Sequence, residues 1–320
     1  MNRSFRAYRV AFHASSEKGI ALVLTLMITV LITAMVVEFS YGVYTTTSAL
    51  HNWKESQRLS FVSKSGITLA MKTIQSDIPP NELYRFPGKM DIPVENILEG
   101  FTGIVIVSVE DENAKFNLNS LVSQNGQLNV RSYESFKLLL KILGFDDSAA
   151  KAITGRIVDW IDPDSIPSEG LTDSEEGAKN AYMDSVDELL MIKGIDRVTY
   201  ETLLPYVTVY GYSGIDDARI NINTAPIPVI MSLNERISEE QAEAVVNQRK
   251  VEPFDGVGGL RRAGIDPSLL TSGQAFGSKL SPPQIFRVTS ISEENKIKRV
   301  IETVVTASGL NPTVKFWREM

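Results

Sequence analysis

The chain is expected to be α+β: a long N-terminal helix on a small antiparallel sheet, with a large inserted helical domain. Three observations predict this. Residues 20–37 form an 18-residue run without a charge, and no proline follows it up to Gln75. Short β-branched runs lie at both ends of the remaining chain, and two stretches of helical pattern lie between them. The composition agrees. Of 320 residues, 43% are apolar and 22% charged, which excludes a disordered, collagenous or wholly membrane-embedded chain. A net charge of -7 argues against a duplex-coating nucleic-acid binder. The chain has no cysteine, so thiol catalysis, disulfides and thiolate metal sites are excluded. The only histidines, His13 and His51, lie outside the expected globular part, which removes the usual general base.

The N-terminal segment comes first. Arg3, Arg6, Arg9 and Lys18 face the single acid Glu17, so the start of the chain is basic. The charge-free run that follows would span roughly 27 Å as a helix, enough for a bilayer core. The basic flank predicts that the N-terminus stays in the cytoplasm and the rest is exported. Three readings of this segment compete. A secretory signal peptide would have a shorter apolar core and small residues at a cut beyond it, whereas Glu38, Phe39 and Ser40 follow here. A plain membrane anchor fits. So does a pilin-type leader, in which Lys18-Gly19-Ile20-Ala21-Leu22 resembles a prepilin cleavage site, cut after Gly19 so that the apolar helix survives.

From residue 38 to residue 75 the pattern stays helical. Leu59, Val62, Gly66, Leu69 and Ala70 fall on one face. An unbroken helix over residues 20–75 would be about 84 Å long. The alternative is an anchor, a hinge near Gly42 and a separate helix. A helix first membrane-embedded and then half-buried is the spine of a type IV pilin-like subunit. Tyr41, Tyr44, Thr45 and Thr46 would sit at the membrane interface. One departure stands out. In most pilins and pseudopilins the fifth mature residue is a glutamate thought to neutralise a neighbour's N-terminal amine, but that position here is Leu24.

In the globular remainder, 103–109 (GIVIVSV) and 115–119 (KFNLN) read as a hairpin turning at Asp111-Glu112-Asn113. Strand candidates follow at 206–210 (YVTVY) and 219–223 (RININ). A last hairpin pairs 284–290 (QIFRVTS) with 296–306 through Glu293-Glu294-Asn295. Helical patterns cover about 133–204 and 228–270. The expected division is a leader at 1–19, an assembly helix at 20–75 and a first part of the sheet at 76–122. The helical insertion is expected at 123–204, sheet strands at 205–226, a second helical region at 227–279 and the last strands at 280–320.

Four segments in order, DENAKFNLNSL (111–121), IVDWIDPDS (157–165), VDELLMIKGI (186–195) and RININTAP (219–226), resemble the general secretion pathway protein K family, the large minor pseudopilins of type II secretion. The resemblance spans essentially the whole chain. It implies a pilin-like domain carrying a large helical insertion, placed at the tip of a periplasmic pseudopilus. It implies binding to the I and J minor pseudopilins and packing with the major pseudopilin. Contacts to secreted substrate or to the outer-membrane secretin are further implied. Prepilin peptidase would remove residues 1–19 and methylate the amine of Ile20, leaving a single-pass inner-membrane protein. Lacking the carboxylate at Leu24, the subunit fits most easily at the top of a filament, with no neighbour above.

Calcium is the one cofactor that the residues suggest. Over 159–188 ten acids face the single base Lys179. Asp159, Asp162, Asp164, Glu169, Glu175 and Glu176 are the candidate ligands, since Ca²⁺ takes six to eight oxygens. Members of the resembled family carry calcium sites here. The usual G-A-E-D stretch reads Gly177-Ala178-Lys179-Asn180, so a lysine replaces an expected acid. The spacing is not that of an EF-hand, and a solvated acidic loop is the alternative.

Two segments, around Lys193-Gly194-Ile195 and over 221–250, resemble helix-hairpin-helix units that hold phosphate on backbone amides. The first has Asp196 where a second glycine belongs, with Asp187 and Glu188 just upstream, and the second lacks a hairpin glycine. Both read as packing modules, with Ser238 and Gln241 forming a capping box, and no nucleic-acid partner is expected. Enzyme signatures are missing: Gly256-Val257-Gly258-Gly259 does not complete a dinucleotide fingerprint, and no histidine is placed to activate Ser213. A structural, non-enzymatic subunit is the expectation.

Overall fold

The computed structural model describes residues 14–74, 89–93, 101–164, 166–167, 177–211, 216–270, 275–276, 285–306 and 312–320. The chain divides into two units, Met1–Arg58 and Leu59–Met320.

Helix α1 (Ala14–Lys72) starts inside the segment expected to be a leader and passes through Gly42 without a break, so there is no separate second helix. Within the second unit, its buried stripe is Leu59, Val62, Ser63, Gly66, Ile67 and Ala70, continued by Ile74 just past its end. Leu69, expected on this face, is exposed, and Ile67 and Ile74 take its place. The small residues in the stripe let the helix approach the sheet closely. Ser63 Oγ lies 2.7 Å from Ser292 Oγ, and Ser292 Oγ donates to the Leu59 carbonyl at 3.0 Å. A Cβ on Gly66 would come within 2.6 Å of Ser290 Oγ and 2.8 Å of a Val107 methyl.

The sheet under this helix is β1 (Lys89–Pro93), β2 (Ile104–Asp111), β7 (Ile285–Glu294), β8 (Ile297–Thr306) and β9 (Thr313–Glu319), in the order β1-β2-β7-β8-β9. All its pairings are antiparallel. Val107, Val109, Phe286, Val288, Ile301 and Val305 meet Ile67, Ala70 and Ile74 in its core. β7 and β8 form the expected C-terminal hairpin, but Glu293 and Glu294 remain in β7. Asn295 (φ 52°) and Lys296 (φ 67°) make the turn, as a two-residue hairpin loop requires.

The hairpin expected from 103–109 and 115–119 does not form. Asp111 accepts the Asn113 N–H at 2.9 Å and caps a 3₁₀ turn at Glu112–Ala114, which carries the chain out of the sheet. Local side-chain capping here outcompetes the ladder. β2 pairs instead with β7, far along the chain, while β3 (Phe116–Asn117) pairs in parallel with β4 (Val207–Thr208).

Everything between β2 and β7 is the insertion. It holds α2 (Val130–Ile142), α3 (Asp147–Ile161), α4 (Arg197–Leu203), β5 (Ile220–Asn221), α5 (Ile227–Met231), α6 (Glu239–Val251) and β6 (Ala275–Phe276). Phe136, Leu139, Leu140, Ile157, Leu189, Leu203, Val229 and Val245 lie in its own core. Two asparagine turns organise it. Asn117 accepts from the Asn119 N–H, and Asn119 holds Met183 and Val209 backbone groups at 2.8 to 2.9 Å. Asn221 and Asn223 repeat the arrangement, with Asn223 gripping both backbone groups of Phe254. Each turn follows a two-residue strand that pairs in parallel, β3 with β4 and β5 with β6, so the insertion is built as two similar halves.

A buried charge network joins the insertion to the sheet. Glu112, fully buried, accepts from Arg287 Nε at 2.6 Å and from Lys115 Nζ at 3.2 Å, and also bonds the Thr208 hydroxyl. Lys115 also reaches Glu110 at 2.7 Å. Arg287 bonds Glu302, Glu302 bonds Arg318 at 2.6 Å, and Arg318 bonds Asp187 of the insertion. Burial alone would raise the Glu112 carboxyl, but the charges of Lys115 and Arg287 outweigh it and hold the group down at about 2. Its neighbour Asp111 is pushed up to about 6 by burial, against hydrogen bonds from Thr224, Asn221 and the Asn113 amide.

Gly66→Val should lower stability by about 1–3 kcal/mol, as overpacking does, read by denaturant unfolding of the full chain in detergent. The two carboxyls pull stability in opposite directions with pH. Asp111, raised from 3.8 to about 6, favours the fold below its unfolded pKa and loses that contribution as pH rises through 6. Glu112, lowered from 4.5 to about 2, contributes fully above 4.5 and loses its contribution as pH falls towards 2. The melting temperature should therefore peak at about pH 4, where the loss from Asp111 begins and the gain from Glu112 is nearly complete. Asp111→Asn should flatten the neutral limb. Glu112→Gln should flatten the acid limb and cost about 3–5 kcal/mol at pH 7 by breaking a buried pair.

Candidate functional site

The first unit carries the expected assembly site. Gly19 and Ile20 both lie within α1 and both are exposed, and nothing crowds Gly19. Leu24 is 56% exposed, and the apolar side chains from Ile20 to Val37 are open in the same way. Among the described residues this is the one helix long and apolar enough to cross a bilayer. Its hydroxyls are satisfied by the helix itself. Thr25, Thr29 and Thr33 donate to the carbonyls of Leu22, Thr25 and Thr29, each at 2.8 Å. A helix surrounded by hydrocarbon needs that internal pairing, since no water is available to its hydroxyls. Glu38 ends the charge-free run, and Phe39, Tyr41 and Tyr44 beyond it are exposed.

The acidic segment is organised by a lysine. Asp159 is buried on α3, Asp162 caps its C-terminus, and Asp164 is exposed and accepts the Ile166 N–H at 2.8 Å. Glu169, Glu175 and Glu176 lie outside the described residues. Lys179 Nζ sits 2.7 Å from Asp184 and 3.0 Å from Glu188. Burial opposes its charge, but the hydrogen bonds to these two carboxylates raise the ammonium above its ordinary value. Glu188 also accepts the Trp160 indole N–H at 3.0 Å and the Asp184 N–H at 2.7 Å, and closes a capping box with Ser185. Among the described residues no group of three or more potential ligands gathers around a point. Asp159, Asp162 and Asp164 therefore do not make a cation cage by themselves. The role of Glu188 was missed in the sequence, although its spacing from Ser185 is the S-x-x-E signature of a cap.

Around the first hairpin, the carboxylates have structural work. Asp187 accepts the Tyr200 hydroxyl at 2.6 Å and pairs with Arg318, while Asp196 caps α4 by accepting the Thr199 N–H at 2.8 Å. Gly194 (φ 86°) turns the chain, with the Arg156 side chain packed against it. In the second unit of this kind, Ser238 and Gln241 form the expected capping box. Ala242 and Val245 are buried, while Val246 is half-buried.

Comparison with known proteins places this architecture. Two family profiles, both described as type II secretion system protein K, match residues 114–212 and 220–268. These are the two halves of the insertion. Type II secretion system protein K of Pseudomonas aeruginosa is 32% identical over 161 residues, covering 48% of this chain and 46% of that protein. The protein of the same name from Pectobacterium carotovorum is 28% identical over 282 residues, covering 79% of this chain and 81% of that protein. The fold matches a chain in the crystal structure of the GspK-GspI-GspJ complex from enterotoxigenic Escherichia coli. The TM-score is 0.65 at 19% identity, covering 84% of this chain and 98% of that one. With its pilin-like helix and sheet and its two-part insertion, the chain matches type II secretion system protein K, a minor pseudopilin of that system, in both halves of the insertion and in fold.

Proposed function

We propose that this subunit occupies the tip of the periplasmic pseudopilus, where it primes or caps assembly for export across the outer membrane. The observation that carries the reading is Leu24, five residues into the mature chain, exposed and without a carboxylate. A subunit above would find no acid to neutralise its amine at that position. The insertion adds bulk that stacking from above would have to displace. In this reading prepilin peptidase cuts between Gly19 and Ile20 and methylates Ile20. The apolar part of α1 stays in the inner membrane, and the C-terminal domain is periplasmic. The solved relative is a complex with GspI and GspJ, so the I and J minor pseudopilins are the first partners, with the major pseudopilin below. Secreted substrate and the outer-membrane secretin are the contacts a tip would meet. The role is structural rather than enzymatic.

Calcium belongs to this proposal as a ligand of the acidic segment, supported by its ten acids against one base. Bound there, the ion would supply charge neutralisation and loop closure.

Three outcomes are expected. Mass spectrometry of the protein from membranes with active prepilin peptidase should show a chain beginning at N-methylated Ile20. A chain still starting at Met1 would mean an ordinary anchor. Leu24→Glu should fold normally yet change the subunit's place in the filament, and an unchanged tip position with normal secretion would defeat the capping argument. Calcium should raise the melting temperature relative to chelator, and Asp164→Asn should reduce that rise. An identical melting curve with and without calcium would remove the ion from the proposal.

A further inference from the structure

The two halves of the insertion meet at a cleft of about 690 Å³, between α2 on one side and the Asn234 turn and Leu269 on the other. That volume lies within the range of ligand-binding clefts. Three leucines are in its lining: Leu233 is buried, and Leu138 and Leu269 are half-buried. Its rim is polar, and its charges are unequally matched. Lys137 pairs with Glu134 at 2.7 Å and Lys141 with Asp147 at 3.1 Å, so these four cancel within the chain. Arg131 and Arg236, one from each half, are exposed and have no carboxylate partner among the described residues, against the single unpaired acid Glu235. The turn that presents Arg236 is fixed. Asn234 accepts the Arg236 N–H at 3.0 Å and donates from Nδ2 to the Leu269 carbonyl at 2.9 Å.

We propose that this cleft binds an extended acidic peptide, with two carboxylates paired to Arg131 and Arg236 and apolar side chains against Leu138 and Leu269. Guanidinium groups recognise carboxylates through paired N–H bonds, and each of the two arginines can take one carboxylate. Ser135 and Ser268 offer hydroxyls to the peptide backbone at the same rim. A polyphosphate fits poorly, because Glu134, Asp147 and Glu235 stand in the same lining and the chain as a whole is negative. A peptide can pass those acids with neutral residues and place its own charges only at the arginines. The partner is therefore a protein segment in which acidic and apolar residues alternate in a short extended stretch.

The test uses the full chain in detergent micelles and a fluorescein-labelled peptide, Gly-Leu-Glu-Ser-Leu-Glu-Gly, read by fluorescence anisotropy. Its counterpart carries lysine in place of both glutamates. The acidic peptide should bind, and the lysine peptide should bind at least about tenfold more weakly. The variant combining Arg131→Glu with Arg236→Glu should reverse that preference. A reversed preference also shows that the variant is folded, since an unfolded domain would lose both peptides. The proposal is overturned if neither peptide binds the unaltered chain, if both bind it equally, or if the double variant keeps the acidic peptide. Competition by an oligonucleotide stronger than by the acidic peptide would overturn it as well.

Discussion

The Glu112 carboxylate, fully buried and held by Arg287, Lys115 and Thr208, is the point at which this architecture is decided. It lies where the chain leaves β2 for the insertion. Arg287 lies on β7, the strand that receives the chain when it returns, and Thr208 is on β4 inside the insertion. One ionised group thus ties together the exit, the return and the inserted domain. A buried charge is tolerated only with such partners, because its desolvation would otherwise cost several kcal/mol. The network continues through Glu302 and Arg318 to Asp187, and Asn221 and Thr224 donate to Asp111 at the end of β2, so several directional contacts hold the insertion to the sheet. Apolar packing between them would resist separation but would not specify the same orientation so narrowly.

The second organising constraint is repetition. Each half of the insertion opens with a short strand and an N-x-N turn whose second asparagine clamps the backbone of a distant segment. Asparagine suits this task because one side chain offers both a donor and an acceptor, and so satisfies a backbone N–H and C=O together. The two helix-hairpin units then pack around a shared apolar core. Their charged residues cap helices and join elements, which leaves little of the hairpin chemistry that a phosphate would need.

The acidic segment shows how context redirects a composition signal. Ten acids against one base look like a cation site waiting for its ion. The one base, however, lies between Asp184 and Glu188, and Glu188 is further engaged by an indole N–H and two backbone amides. The C-terminal part of the segment is thereby neutralised within the chain. Whatever a metal would do concerns Asp159 to Glu176 and not this brace.

By itself, the sequence determined the helical character of residues 20–75, the charge-free run at 20–37, the absence of an acid at Leu24 and the C-terminal hairpin. Those features rest on local periodicity, length and charge, which one segment carries alone. Helix caps at Ser238 and Gln241 were legible for the same reason. The tertiary structure alone decided that β2 pairs with β7 and not with the residues that follow it. A pairing between strands more than a hundred and seventy positions apart leaves no local trace. It also decided that Arg287 and Glu302, lone charges within β-branched runs, pair with each other and with Glu112 and Arg318. Leu69 and Ile67 were exchanged for a related reason: a helix buries the side that the sheet presents to it, and periodicity marks a face only to within one neighbouring row of side chains.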